Sequence, residues 1–252
     1  MAKTVVLSAR QPSDISRGDD PRTPTCGLRP HNPTAGYRAP QRPDNLTDMR
    51  DESIGSFLSR LAARSAAPGG GATGALHAAQ AAALLAMVAR FSDGPRYDAE
   101  TVGRVRAAAD GLAEESVSLA AADSAAFEQV IAAYELPKDT EEARAARSDA
   151  IADAMAGAAR PPADLMRASV RLVGLAEELL PAANKNVISD IGAAAAAISA
   201  AALTAAVNIE ANLPVIKDPA LAGELTATAA LADGVADRAA RVIAAIREEI
   251  AQ

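Results

Sequence analysis

What most limits the fold of this chain is alanine set between helix breakers. About 60 of the residues after position 48 are Ala, far above average usage. Ala is the best helix former, and its small side chain lets helices approach closely. Pro68 with Gly69, Gly70 and Gly71, then Gly94-Pro95, Pro137, Pro161-Pro162, Pro181, Pro214 and Pro219, cut this stretch into pieces. Each piece has helical length and none has the alternation of a strand. The spacing predicts helices near 51–65, 72–91, 98–134, 140–159, 163–180, 188–212 and 219–250. In the first, Ile54, Phe57, Leu58 and Leu61 fall at i, i+3, i+4 and i+7. The expected fold is all-α: an Ala-rich multi-helix bundle with short connections, one domain over 49–252.

Residues 1–48 follow another pattern. They hold seven of the 15 Pro, seven cations, five Asp and almost no apolar periodicity. Such a segment cannot bury enough apolar surface to offset its ordering entropy, so a disordered Pro-rich tail is expected. An over-long gene assignment, with Met49 as the true start, is the alternative. Val5-Val6-Leu7 is far shorter than the apolar core of a secretory signal.

Composition excludes several classes. The net charge of −7 and 2% aromatic content argue against a nucleic-acid surface. One Cys leaves no intramolecular disulfide and no Cys-based zinc site. Only His31 and His77 are present, and neither sits in a Glu-x-x-His motif, so a multi-His or ferritin-like metal site is not expected. The uncharged stretches 65–89 and 191–207 are mostly Ala, Gly and polar residues. They read as buried helices of a soluble, cytoplasmic bundle, not as membrane spans.

A few residues stand out from the helical pattern. Val102, Val105, Ala109, Leu112, Ser116, Leu119, Asp123, Ala126 and Val130 form one stripe on the long helix. A carboxylate on that stripe either meets an Arg at its edge or serves a site. Asn184-Lys185-Asn186-Val187-Ile188-Ser189-Asp190 opens the most Ala-rich helix. Capping by Asn186 or Ser189, with Asp190 at the positive dipole end, accounts for this run on local grounds. Asn208 follows Asp190 by five turns on the same face, about 27 Å along the axis. One helix cannot bring both to one atom, so a shared role needs a long ligand or two subunits. Gly69, Gly70 and Gly71 either permit a tight helix crossing or expose N–H groups to an anion or polar ring. No Lys-Ser or Lys-Thr follows at P-loop spacing. His77, among Ala and Leu, reads as a packed residue more readily than as a base.

Four blocks in order carry a resemblance. They are Pro68 to Gly71 with Ala86-Met87-Val88 and the turn from Gly94 to Tyr97; Asp123 to Phe127 with Leu136-Pro137-Lys138 and Thr140-Glu141-Glu142; Asn186 with Ile188 to Gly192; and Asn208 through Asn212-Leu213 with Ile216-Lys217-Asp218. From about residue 51 to the C-terminus the chain resembles the cyclodeaminase/cyclohydrolase family. That family holds the deaminase half of formiminotransferase-cyclodeaminase and the stand-alone methenyltetrahydrofolate cyclohydrolases. Three departures stand out: Ala72 where the family usually has Ser, with Thr73 as a substitute; Arg90 where Asn is common; and a basic turn reduced to Pro95-Arg96.

The resemblance implies a homodimer that binds a one-carbon-substituted tetrahydrofolate, with no metal and no cofactor beyond that substrate. It implies hydrolysis of 5,10-methenyltetrahydrofolate to 10-formyltetrahydrofolate. The alternative is closure of 5-formiminotetrahydrofolate with release of ammonia. A non-catalytic folate-binding or interaction module is the third reading. Both reactions need proton transfer at a tetrahedral carbon, and with so few His a carboxylate must supply it. Asp190 is the first candidate and Asp123 the second. Asn184, Asn186, Ser189 and Asn208 are candidates for the pteridine edge. Gly69, Gly70 and Gly71 could receive the ring or a carboxylate, and Arg96, Lys138 and Lys217 the anionic folate tail.

Overall fold

The computed structural model describes residues 49–252. Among them are eight α-helices and no strand: α1 (Ile54–Leu61), α2 (Gly70–Phe91), α3 (Ala99–Glu135), α4 (Glu141–Ala158), α5 (Arg160–Ala182), α6 (Ile188–Asn212), α7 (Pro219–Ala229) and α8 (Leu231–Ile250). Short 3₁₀ turns at Lys185–Val187 and Leu213–Val215 bracket α6. The all-α expectation holds.

Local chemistry sets the starts of the helices. Ser53, Asp98, Thr140 and Asp218 each accept a hydrogen bond from an otherwise unpaired N–H of the first turn. Two boundaries differ from expectation. Pro161 and Pro162 do not break the chain between α4 and α5; they occupy the first turn of α5, where a missing N–H costs nothing. The single helix expected over 219–250 is two helices meeting at Ala230, although no Pro or Gly stands there.

The core lies where α2 packs against α3, α5 and α6, with α8 closing the far side of α6. Alanine makes the α2–α6 contact close. Ala75, Ala78 and Ala82 meet a partner helix whose Ala194, Ala201, Ala202 and Ala205 are also fully buried. At Gly74 the approach is closest: a Cβ there would lie 2.8 Å from Thr204 Cγ2 and 3.1 Å from Leu165 Cδ2. The tight crossing anticipated for the glycine run thus falls one turn later, at Gly74. Helix α4 packs along the C-terminal half of α3 and has no fully buried residue.

Two helical stretches, Gly70–Phe91 and Lys185–Val215, are long and apolar enough to cross a membrane. In the most apolar 18 residues of the second, only 39% are buried. Leu203 and Val207, one turn apart on α6, are 45% and 64% exposed. With Ala193 and Ala196 they form an uncovered apolar stripe, centred near Ala200.

Candidate active site

The first turn of α2, the second half of α3 and the end of α6 enclose a cleft of about 310 Å³. Gly69, Gly70, Gly71, Asp123, Asn208 and Asn212 give it polar surface; Phe127, Val130, Met155 and Pro162 give it an apolar wall. Asp123 is the one titratable side chain among the residues that line it.

Asp123 is held by α2. Its carboxylate accepts a hydrogen bond from the Ala72 N–H and fills the space that a side chain at position 71 would need. A Cβ on Gly71 would lie 2.6 Å from Oδ2 and nearer still to Oδ1. Burial pushes the Asp123 carboxyl above the ordinary 3.8, and the Ala72 N–H opposes that shift in part. No Arg partner is paired with it among the described residues.

Across the cleft, the Asn208 amide donates to Thr204 O at 2.8 Å and the Asn212 amide donates to Asn208 O at 3.0 Å. Each keeps its side-chain carbonyl oxygen for another partner. The nearest side-chain atom to a Cβ at Gly70 is Asn208 Nδ2, at 3.9 Å. Thr73 does not reach the cleft as a stand-in for the missing Ser, because its hydroxyl donates to Gly69 O at 3.0 Å.

A second, basic cleft of about 520 Å³ adjoins the first, and Met155 lines both. Lys138, Arg144, Arg147 and Lys217 face it, with no carboxylate among its lining residues. None of the four makes an ion pair among the described residues. Arg147 instead donates to Tyr134 O at 2.9 Å, and Arg144 to Lys138 O at 3.3 Å. Lys138 and Lys217, from separate sequence blocks, therefore converge. Arg144 and Arg147 escaped the sequence reading. Their signal was two cations three apart on the α4 face that also carries Ile151 and Met155.

The remaining candidates lie at the other end of the bundle. Arg96, Asn184 and Asn186 line a third cleft of about 640 Å³ between the first turn of α3, the end of α5 and the 3₁₀ turn that precedes α6. Along α3 this end is about 37 Å from Asp123. Arg96 stands over the Tyr97 ring at 5.3 Å. Asn184 is a structural clasp: its N–H donates to Ser92 Oγ, its amide donates to Phe91 O, and its Oδ1 accepts from the Asn186 N–H. The cap expected from Asn186 or Ser189 is not formed: Val187 stands at the cap position of α6 without a side-chain hydrogen bond, and Asn184 caps the 3₁₀ turn before it. Ser189 is exposed, and Asp190 sits half-buried in the first turn of α6 without lining any of these clefts. Arg90 pairs with Asp110 on the outer surface at 2.8 Å. His77 is packed, with a buried Nδ1 that has no partner. Among the described residues no three His, Cys, Asp or Glu gather as a metal would require.

The surroundings of the cleft match known proteins. Residues 53–231 fit the family model described as formiminotransferase-cyclodeaminase. The methenyltetrahydrofolate cyclohydrolase of Methylorubrum extorquens is 35% identical over 177 residues, covering 69% of this chain and 85% of that protein. The rat formimidoyltransferase-cyclodeaminase is 33% identical over 173 residues, and the match spans 32% of its length. The crystal structure of the formiminotetrahydrofolate cyclodeaminase of Thermotoga maritima superposes with a TM-score of 0.67 at 29% identity, covering 78% of this chain and 98% of that one. The chain belongs to the formiminotransferase-cyclodeaminase family.

Proposed function

We propose that the chain is a cytoplasmic methenyltetrahydrofolate cyclohydrolase, opening 5,10-methenyltetrahydrofolate to 10-formyltetrahydrofolate. The observation that carries this reading is the half-buried Asp123 carboxylate, seated against Gly71 in a cleft with no other titratable lining. The ionised carboxylate takes a proton from water as the water oxygen bonds to the bridge carbon. The adduct is tetrahedral. The C–N5 bond then breaks, N5 receives the proton from Asp123, and the adduct hydroxyl releases its own to solvent. The formyl group stays on N10. A pKa above the ordinary carboxylate range suits a group that must accept and return a proton. Asn208 and Asn212 offer hydrogen bonds to the pteridine edge. Lys138, Arg144, Arg147 and Lys217 offer charge to the anionic tail. The scheme needs no metal and no further cofactor.

The 35% identity to the cyclohydrolase relative, against 29% to the cyclodeaminase structure, supports this reading. The cyclodeaminase reading rests on the Thermotoga structure, which this chain spans almost entirely.

The reading includes a homodimer, supported by the uncovered stripe on α6. An isologous pair needs a self-complementary patch, and this one is centred near Ala200. Residue 199 is the midpoint between Asp190 and Asn208. Two α6 helices crossing antiparallel there bring Asp190 of each copy level with Asn208 of the other, on one side of the seam. The two ends of the candidate set then face each other across subunits.

The test is ultraviolet. Purified protein with 5,10-methenyltetrahydrofolate, at a pH where spontaneous opening is slow, should remove the methenyl chromophore. Asp123→Asn should abolish the acceleration. If wild type gives none, ammonia release from 5-formiminotetrahydrofolate decides for the second reading.

A further inference from the structure

The chain has three Phe, three Tyr and no Trp. Phe57 is buried between α1 and α2, as a core aromatic should be. Phe127 is 43% exposed. It is the one aromatic residue lining the Asp123 cleft, and it sits one helical turn after Asp123 on α3. An exposed Phe by itself needs no explanation. This one forms the apolar wall of a cleft whose opposite side carries Asn208 and Asn212. An apolar face opposite amides that retain free acceptors suits a flat heterobicycle with a polar rim.

We infer that Phe127 is the stacking platform that fixes the plane of the pteridine, so that Asp123 meets the bridge carbon edge-on. The inference rests on the folate reading and assigns Phe127 as a positioning residue. Asp123 and Phe127 leave α3 on the same side, four residues apart, so a ring lying on Phe127 presents its margin to the carboxylate. The cleft volume of about 310 Å³ admits one bicyclic ring and leaves the tail to run past Met155 toward the basic cleft. Stacking of this kind tolerates any aromatic side chain and rejects aliphatic ones.

Because the chain lacks Trp, Phe127→Trp creates a sole indole inside the cleft. The probe is 5-formyltetrahydrofolate. Titration should quench that indole saturably. Leu231→Trp, placed at the exposed α7–α8 junction outside these clefts, should show only the loss caused by ligand absorption. Phe127→Leu should raise KM about tenfold and lower kcat with it, because the ring loses its plane as well as its contact, and Phe127→Tyr should restore both. Binding by equilibrium dialysis without quenching at position 127, or an unchanged KM in Phe127→Leu, overturns the stacking role alone. No binding and no turnover in wild type overturns the folate reading together with it. If Phe127→Trp fails to fold, the Leu and Tyr pair still decides through KM.

Discussion

Replacing Gly71 by Ala asks one methyl group to test both the packing and the chemistry. The new Cβ would fall 2.6 Å from Asp123 Oδ2, and closer to Oδ1. Ordinary contact needs at least 3 Å, so the carboxylate must retreat by roughly 1 Å. The retreat breaks its bond from the Ala72 N–H, a charge-assisted bond worth about 1.5–3 kcal/mol. Alanine in the first turn of α2 returns up to about 1 kcal/mol of helix propensity. The net loss is then about 1–2 kcal/mol, or roughly 2–8 °C in Tm for a domain of this size. A catalytic group displaced by 1 Å loses about a hundredfold in rate. Gly71→Ala should therefore fold, melt slightly early and lose about two orders of magnitude in kcat. Gly74→Ala supplies the contrast. Its Cβ would meet Thr204 Cγ2 at 2.8 Å and Leu165 Cδ2 at 3.1 Å, inside the helix crossing. That variant should lose about 1–3 kcal/mol of stability while its folded fraction keeps kcat. Thermal melts with the methenyl chromophore assay read both quantities. A Gly71→Ala protein with wild-type kcat/KM refutes the claim that an Asp123 carboxylate seated on Gly71 carries the reaction.

Four further outcomes follow from the same geometry. Asp123→Asn should lower kcat by about 10²–10⁴ without lowering Tm at neutral pH, since it removes a desolvated charge. The Asp123 carboxyl is raised in the folded state, so its stabilising contribution is full below 3.8 and is lost as pH rises through the raised value. The Tm of wild type relative to Asp123→Asn should fall across that window, and the acidic limb of kcat/KM should lie above 3.8. In a dimer whose two-fold joins Asp190 of one copy to the Asp123 cleft of the other, Asp190→Asn should also lower turnover. Mixed Asp123→Asn and Asp190→Asn subunits should then recover up to about a quarter of wild-type activity after exchange, because half the dimers pair unlike chains and one site in each is intact. Full activity of Asp190→Asn, or no recovery on mixing, counts against the shared site. Lys217→Ala with Arg147→Ala should raise KM and flatten its dependence on salt, with kcat retained. Arg238→Ala should cost about 1 kcal/mol, because its partly exposed guanidinium holds Glu177 below 4.5; that cost is present above 4.5 and vanishes as pH falls through the depressed Glu177 value, which urea melts at two pH values would show.

Most of the helical architecture was legible in the sequence, because Pro and Gly mark the ends of most helices and apolar periodicity marks the faces. Where the reading failed, the cause is local. The α7–α8 break carries no Pro or Gly, so nothing in the local sequence marks it. Pro161-Pro162 looked like a boundary, yet a proline pair opens a helix as readily as it ends one. The stripe on α3 is buried at Val102, Val105, Ala109, Leu112, Ser116 and Val130. Between the last two the fully buried position is Ala120 and not Leu119, and Asp123 lines the cleft.

The site was legible only as a set of separated parts, and the reason is that helices run the length of the bundle. Asp123, Asn208 and the glycines converge because α2 starts where α6 ends and α3 passes both. Nothing in the spacing of one helix could reveal that convergence. Conversely, Asn184 looked like a ligand-binding amide, but all of its polar groups are spent joining α2 to α6. Asp190 and Arg96 remain about 27 Å or more from the Asp123 cleft within one chain. A stripe centred near Ala200 and a candidate pair centred at 199 share one midpoint. A two-fold axis at that midpoint would cover the apolar stripe and join the separated parts by the same contact. Val207→Glu places a charge on the stripe beside Asn208 without filling the cleft. If that variant sediments as a monomer and binds 5-formyltetrahydrofolate as wild type does, each subunit holds its ligand alone. If binding falls with dimerisation, the ends of two α6 helices make one site.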